Sequence, residues 1–212
     1  MGYLKKILFL IVCTVFVFKG YSQEFQKGNY DVSIATGIGI YGVTINDTNE
    51  IEQNNGINAV QLLFPATANY FITDRWAAGI SLQYNKLLTD LDSNNVYART
   101  VNFGINNKIV ILNRTDDNVY FDLCFGSSSL QWKSRRVVSR LTGRGVYYNL
   151  GLGINHYFNN NIGFFLHGSM AVYQFNTLYN NRDQIITTAE GTAPLLIKLG
   201  GLNLSIGLCL KI

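Results

Sequence analysis

The carboxyl-terminal stretch LNLSIGLCLKI, residues 202–212, decides the fold. Large apolar residues occupy its even positions, and Asn, Ser, Gly, Cys and Lys occupy the odd positions between them. Because successive side chains of a β-strand point to opposite faces, this period of two predicts a strand with one apolar and one polar face. A similar alternation runs from Tyr30 to Ile40 and from Trp76 to Tyr84.

Eight segments carry this alternation, and no helix is needed to explain the chain. We predict strands at residues 29–42, 58–71, 76–86, 98–112, 118–130, 145–158, 162–175 and 194–212. Long polar connections, residues 43–57, 87–97, 131–144 and 176–193, alternate with tight turns at 72–75, 113–117 and 159–161. This order predicts an all-β fold, an eight-stranded antiparallel up-and-down barrel.

Composition indicates which face of the barrel points outward. Charged residues make up only 14% of the 212 residues, about half the usual share. The polar faces of the strands carry mostly Gly, Ser, Asn, Thr and Ala, whereas a soluble barrel of the lipocalin kind needs Lys, Glu and Asp outside. Small residues suit a crowded lumen, and a Leu, Ile, Val and Phe face suits lipid, so a transmembrane barrel is favoured. No uncharged apolar run reaches the roughly 18 residues of a membrane helix.

Local features of the strands add three expectations. Aromatic residues at strand ends predict two interfacial girdles, one of Tyr30, Tyr70, Trp76, Phe121 and Phe158 and another of Tyr41, Tyr84, Tyr97, Trp132 and Tyr173. Pro65 predicts a bulge or a local break in the second strand, because proline cannot donate a ladder hydrogen bond. Gly200-Gly201 predicts a similar irregularity in the last strand, which would leave the side of the wall taken by Lys198 open.

The amino terminus has the features of a secretory signal peptide. Lys5 and Lys6 precede the apolar run 7–18, and Gly20-Tyr21-Ser22 predicts cleavage before Gln23. Residues 1–22 would then be removed, and residues 23–212 would form one barrel domain. This removes three of the 17 basic residues and none of the 13 acidic ones, which leaves a net charge near +1 (14 minus 13) and no sign of a nucleic-acid partner.

The mature chain gives no indication of a metal or other cofactor. Its two cysteines, Cys124 and Cys209, form no disulfide framework, and no Cys/His cluster has zinc spacing. Both cysteines are expected inward, near the turn side of the barrel, as free buried thiols, because strands five and eight are too far apart for a disulfide.

The turn segments YFITDRW (70–76) and YFNNNI (157–162), together with the alternating terminal strand, resemble those of the small eight-stranded outer-membrane β-barrel proteins of Gram-negative bacteria. The resemblance covers residues 29–212. It implies short turns and both termini in the periplasm, and four long loops outside the cell. It also implies that the last strand is a signal to the barrel-insertion machinery, although this chain ends in Ile212 where the family usually has an aromatic residue. A monomer is expected, and membership of a larger outer-membrane assembly stays open.

Four charged residues fall on the small, polar faces of the strands: Asp31, Lys108, Asp122 and Lys211. Eight strands enclose a space that side chains can fill, so no open pore is expected. Buried charges must be paired, and a turn within 113–117 places Lys108 either directly opposite Asp122 or diagonal to it. Barrel closure brings Asp31 near Lys211. We predict two inward ion pairs, or one network of four, that plugs the lumen.

Ser169 and His167 are the one combination of a nucleophile and a base that lies close together in the sequence. Residues two apart on a strand share a face, so the two side chains could meet. Lipid A deacylases, which are also eight-stranded outer-membrane barrels, carry a similar His-x-Ser pair with a Glu further along. Here the nearest downstream acids, Asp183 and Glu190, lie in the last loop, and strand parity directs the pair into the lumen. A lumen histidine is therefore favoured over a catalytic one, and no enzyme is predicted.

The third long loop concentrates positive charge. It contains five basic residues and no acidic one: Lys133, Arg135, Arg136, Arg140 and Arg144. Arginine recognises phosphates through its fork of donors, so this cluster could contact lipopolysaccharide or another anionic surface polymer. Pairing with acidic residues of the first two loops, which would stiffen the extracellular rim, is the second interpretation, and the two are compatible.

The sequence as a whole favours a non-enzymatic outer-membrane barrel with a structural or surface-interaction role through its loops. Outer-membrane lipid and lipopolysaccharide are the expected partners. A lipid A-modifying hydrolase and a module that passes small apolar solutes into the bilayer are the alternatives.

Overall fold

The computed structural model of the protein describes residues 25–46, 57–89, 97–114, 116–133, 140–180, 182–187 and 196–212. In these residues, eight antiparallel strands close into a barrel in chain order, with the last strand paired to the first. The strands are β1 Tyr30–Asn46, β2 Ile57–Phe71, β3 Trp76–Thr89, β4 Tyr97–Asn113, β5 Asp117–Lys133, β6 Arg140–Tyr157, β7 Ile162–Tyr179 and β8 Leu196–Lys211. All eight predicted strands are confirmed. The predicted signal peptide, residues 1–22, lies outside the described ranges.

The described residues contain strands, turns and bends but no helix, and accordingly no helix long and apolar enough to cross a membrane. Several strands extend beyond the predicted bounds at the end of the barrel that carries the long connections. For example, β1 continues to Asn46, and β6 begins at Arg140. Ladder hydrogen bonds satisfy the backbone whatever the side chains are, so pairing continues where the apolar alternation has stopped. We call this end the loop end, and the end with the tight turns the turn end.

The outer wall of the barrel is apolar and its lumen is polar. On β8, for example, Leu202 and Leu204 are 67% and 52% exposed, whereas Asn203 and Ser205 between them are 9% and 4% exposed. The exposed apolar residues recur on every strand, which is far more than the isolated patches that a soluble surface carries. This distribution is that of a transmembrane barrel, whose wall faces acyl chains.

The predicted aromatic girdles are partly wrong. At the turn end, Tyr30, Tyr70, Trp76 and Phe158 are exposed on the outer wall as expected, and Tyr84 is exposed on the wall towards the loop end. However, Tyr41 and Tyr173 are fully buried in the lumen, and Trp132 packs against the same buried cluster. These three residues lie on the inward faces of β1, β7 and β5. Although they are near strand ends, their side chains therefore point into the lumen and cannot belong to a girdle on the outer wall. The side chain of Tyr97 lies outside the description.

The predicted irregularities have mixed outcomes. Pairing between β1 and β2 lapses around Pro65 without a change of register, which confirms a local break. The expected irregularity at Gly200-Gly201 is wrong, because both residues pair continuously with β1 and the ring of Tyr41 fills the space beside Gly201. Lys198 therefore stays on the outer wall. Bulges occur instead between Val110 and Leu112 and between Arg144 and Gly145.

Candidate functional site

The lumen is closed at the loop end by an aromatic cluster that we call the loop-side closure. Its rings belong to Tyr41, Tyr147, Tyr173 and Phe175, each nearly inaccessible to solvent. The ring centroid of Tyr173 lies 5.8 Å from that of Tyr41, 6.0 Å from that of Tyr147 and 6.5 Å from that of Phe175. The stack therefore spans the lumen from β1 to β6 and β7.

Hydrogen bonds across the lumen hold the loop-side closure in place. The hydroxyl of Tyr173 accepts bonds from the side-chain amides of Asn85 (3.2 Å) and Asn102 (3.4 Å). The hydroxyl of Tyr41 donates to Asn203 Oδ1 at 2.7 Å. Because buried hydroxyls need partners, these amides explain why tyrosine rather than phenylalanine occupies both positions.

A second aromatic cluster, the turn-side closure, fills the opposite end. It contains Phe25, Phe71, Tyr120, Tyr157 and Phe165, all buried. The ring of Phe25 stacks on that of Phe71 with centroids 4.2 Å apart and meets the ring of Tyr157 edge-on at 5.7 Å. Phe25 precedes β1, so one ring of this closure comes from outside the barrel wall.

Between the closures lies a polar chamber with a cavity of about 50 Å³. Ser, Thr and Asn side chains from all around the wall line it, together with Lys108, Asp122 and His167. Asn106 donates to Asn69 Oδ1 at 2.9 Å along this lining. A space of this size suits a few water molecules, which need roughly 10–15 Å³ each.

The charged residues of the chamber pair differently from their strand neighbours. The register places Lys108 directly opposite Asp122, one of the two predicted alternatives, and Asp31 opposite Lys211. Nevertheless, Lys108 Nζ contacts Asp31 Oδ2 across the lumen at 2.6 Å. Its ammonium also lies 3.8 Å from the ring centre of Tyr120, a cation–π distance.

Asp122 is paired with His167 and not with Lys108, its expected partner. Nε2 of His167 lies 2.9 Å from Asp122 Oδ1, and the His167 ring stacks on Tyr120 at 6.1 Å. The ammonium of Lys211 lies over the rings of Tyr157 (5.1 Å) and Phe25 (5.4 Å). The expected neighbour pairs are thus replaced by Asp31–Lys108 and Asp122–His167, because long side chains reach across so narrow a lumen.

Asp122 is the acid that sequence reasoning did not find for His167 and Ser169. All three line the chamber, although they come from different strands. The hydroxyl of Ser169 accepts a bond from Asn203 Nδ2 at 3.4 Å, and His167 Nε2 is engaged by Asp122. The arrangement brings a histidine and a carboxylate into contact beside a serine, but the barrel wall and the two closures separate it from lipid.

The predicted basic cluster is described only in part. Arg135 and Arg136 lie outside the described residues, and Lys133 and Arg140 pair through their backbones at the end of the β5–β6 hairpin. Arg144 is exposed on the outer wall, opposite Ser129.

The strand register adds further cations that a search along the sequence missed. Lys86 and Arg99 are direct cross-strand partners on the outer wall near the loop end. With Arg144 and Lys198 they form what we call the basic belt, and the described strands place no acidic residue on the wall at that level. The turn end is mixed instead, with Lys27, Arg75, Arg114, Asp74, Asp116 and Asp117.

The two cysteines are free and buried. Cys209 packs in the turn-side closure, as expected. Cys124 packs instead with the loop-side closure, with its sulfur 2.9 Å from the hydroxyl of Tyr147, which corrects its expected position near the turn end. In the described part of the chain, no group of three His, Cys, Asp or Glu side chains could hold a metal ion.

A closed eight-stranded antiparallel barrel with an apolar wall and a polar lumen is the fold of the small outer-membrane β-barrel proteins. Solved structures share it. The outer membrane protein OprG from Pseudomonas aeruginosa matches with a TM-score of 0.54 and 10% identity over 92% of this chain and 99% of its own. Neisserial surface protein A matches with 0.50 and 12% identity over 88% and 98%.

The outer membrane protease OmpT from Escherichia coli matches with a TM-score of 0.48 and 10% identity over 87% of this chain and 97% of its own. In sequence, neither a family model nor a curated protein matches the chain. Likeness at such low identity shows the fold alone.

Proposed function

We propose that the protein is an integral outer-membrane barrel that conducts no solute and holds its long loops at the cell surface, in a structural or surface-interaction role. The observation that carries the proposal is the pair of aromatic closures, one on each side of the polar chamber. A lumen filled by side chains at two levels leaves the wall and the loops as the parts that can meet partners.

The two ends of the barrel support an orientation. The backbones of Tyr30 and Ile212 exchange two hydrogen bonds (2.7 and 2.9 Å) at the turn end, so the first and last strands meet there. We place this end in the periplasm, where β8 would be read by the barrel-insertion machinery. The four long connections then lie outside the cell.

Outer-leaflet lipid is the proposed partner of the basic belt. Lys86, Arg99 and Arg144 lie on the outer wall near the loop end of the barrel. We place this level at the lipid phosphates, which attract basic side chains. Arg135, Arg136 and the other basic residues of the third long loop extend this positive region in sequence. Lipopolysaccharide, with its phosphates, is the anionic lipid that this arrangement suits.

Limited trypsin digestion of intact cells tests the proposal. Trypsin is expected to cut after Arg135 or Arg136 in the third loop and to spare Arg75 and Arg114 at the turn end. Digestion of lysed cells is the control, because it opens the periplasmic side to the protease. Cleavage at Arg75 or Arg114 in intact cells, with the loop uncut, would contradict the orientation and the surface role.

A lipid A-modifying hydrolase is the second candidate, because Asp122 supplies His167 with a carboxylate at 2.9 Å. Its test is mass spectrometry of lipid A from cells with the wild-type protein and with His167→Ala. We expect identical lipid A. A lipid A species that disappears with His167→Ala would establish the enzyme and displace the structural role.

A further inference from the structure

The five residues before β1 fold back towards the barrel. The backbone N–H of Asn29 donates to the carbonyl of Gln26 at 3.1 Å, and Gln26 N–H donates to Asn29 Oδ1 at 2.8 Å, which closes a four-residue turn. Gly28 occupies its third position with φ +96°, the sign that a type II turn requires there. Glycine accepts this conformation without the penalty that a side chain brings. The turn therefore returns Phe25 to the mouth of the lumen.

The ring of Phe25 lies at the turn end of the lumen against the rings of Phe71 and Tyr157, a site that we call the socket. It is 1% exposed and lies flat on Phe71. The ammonium groups of Lys108 and Lys211 lie 5.9 and 5.4 Å from its ring centre. The ring thus separates the charged end of the chamber from the water outside.

A small set of hydrogen bonds holds the segment in the socket. Phe25 and Asn113 exchange two bonds, from Phe25 N–H to Asn113 Oδ1 (3.1 Å) and from Asn113 Nδ2 to the Phe25 carbonyl (2.9 Å). Lys27 N–H donates to Asp74 Oδ1 at 2.8 Å, and Gly28 N–H donates to the Phe71 carbonyl at 2.9 Å. These bonds lie outside the β1–β8 and β1–β2 ladders, so they can break while the barrel stays closed.

The chamber side of the socket favours occasional opening. Asp31 is fully buried beside Lys108, and among the described residues no donor reaches its Oδ1. An unsatisfied buried carboxylate oxygen raises the free energy of the closed state, and water entering from the turn end would satisfy it. Apolar burial of the Phe25 ring acts in the opposite direction and keeps the segment seated.

We propose that residues 25–29 are a reversible stopper that opens and closes the chamber from the turn end while the loop-side closure stays shut. The barrel then contains a polar compartment that communicates with one side only. Water and protons could reach Lys108, Asp122 and His167 without crossing the membrane, and the cavity of about 50 Å³ excludes larger solutes. This inference goes beyond the proposed surface-interaction role of the loops and concerns a different part of the molecule.

The two native cysteines report on the two closures separately. Cys209 packs with Phe25 in the turn-side closure, and Cys124 packs in the loop-side closure. In the full mature protein in lipid vesicles, Cys124→Ser leaves Cys209 as the one reporter, and Cys209→Ser leaves Cys124. A small water-soluble methanethiosulfonate is the probe, and mass spectrometry follows the labelling rate. Phe25→Ala is expected to raise labelling of Cys209 at least ten-fold. Labelling of Cys124 is expected to stay unchanged, because Cys124 lines the chamber, whose cavity of about 50 Å³ admits a few water molecules but not the reagent.

Matched variants separate the stopper from general loosening. Tyr30→Ala truncates an exposed aromatic residue at the same end and should leave Cys209 protected. Gly28→Ala adds a methyl group at a positive φ with no neighbour within 4 Å, and should raise Cys209 labelling by strain alone. Gly200→Ala, which also meets no neighbour but has an ordinary φ, should not. The glycine pair keeps the test valid if Phe25→Ala fails to fold.

Three outcomes would overturn the stopper: Cys209 protected in both Phe25→Ala and Gly28→Ala, equal gains at Cys124, or equal gains in the Tyr30→Ala and Gly200→Ala controls. Folding of each variant is checked by its heat-dependent migration in detergent gels. Failure here leaves the surface role intact, because that role is judged by protease access to the loops.

Discussion

The two closures of the lumen use the same kind of side chain but differ in how they are attached. In the loop-side closure, Tyr41, Tyr147 and Tyr173 all project from paired strands, and cross-lumen amides bind two of their hydroxyls. In the turn-side closure, Phe25 comes from a turn held by hydrogen bonds outside the ladders. A seal built into the wall can open only if the barrel deforms, whereas a seal carried by a terminal segment can open alone.

The Asp31–Lys108 pair and the Asp117–His156 pair show the same contrast between enclosed and accessible groups. Asp31 and Lys108 lie between the closures with side chains 1% and 6% exposed. Asp117 and His156, at the turn end, contact each other at 2.8 Å with side chains 51% and 43% exposed. Desolvation makes an unpaired partner costly in the first pair, while water replaces a lost partner in the second.

The largest expected effect follows from this difference. Asp31→Asn leaves the Lys108 ammonium buried without its counter-charge and should lower the free energy of unfolding by about 3–5 kcal/mol. Asp117→Asn, the matched control at the exposed pair, should change it by less than about 1 kcal/mol. Urea titration of the vesicle-inserted protein, followed by Trp fluorescence, measures both. Equal losses of unfolding free energy in the two variants would show that the Asp31–Lys108 pair is as well solvated as the exposed pair.

A smaller effect is expected at the loop-side closure. Tyr173→Phe keeps the ring but leaves the amides of Asn85 and Asn102 without their shared acceptor, which should cost about 1–2 kcal/mol. Tyr30→Phe, at an exposed position on the wall, should stay within about 0.5 kcal/mol of wild type. The same urea titration checks the pair. No loss in Tyr173→Phe would mean that the hydroxyl does not fasten this closure.

The smallest effect concerns the outer wall at its two ends. Arg144→Gln removes one charge of the basic belt and should weaken retention of lipopolysaccharide by about 1 kcal/mol, roughly five-fold, at low salt. Arg114→Gln makes the same charge change at the turn end and should not. Native mass spectrometry of the protein released from outer-membrane vesicles counts the bound lipid. Equal loss in both variants would assign the effect to net charge rather than to the belt.

Much of the fold could be predicted because a strand records its two faces directly in the sequence. The alternation located all eight strands. Because inward faces must match, only two registers between β4 and β5 were possible, and the structure adopts the one that places Lys108 opposite Asp122. Parity also placed Asp31, Asp122 and His167 in the lumen. Applied to Tyr41 and Tyr173, it would have removed them from the girdle as well.

The contacts inside the lumen could not be predicted in this way. Parity states that a side chain points inward but not how far it reaches. The contact between Lys108 on β4 and Asp31 on β1 therefore could not be predicted from the sequence of either strand. Phe25 precedes the first alternating segment, and its return depends on one glycine in a short turn. The belt joining Lys86, Arg99 and Arg144 is visible only once the register is known.

Planar-bilayer recording of the wild-type barrel tests the central claim, the closed lumen, most directly. We predict no steady single-channel steps from purified protein, and none from Phe25→Ala, because the loop-side closure still blocks the path. Reproducible unitary currents from the wild-type barrel would contradict the closed lumen.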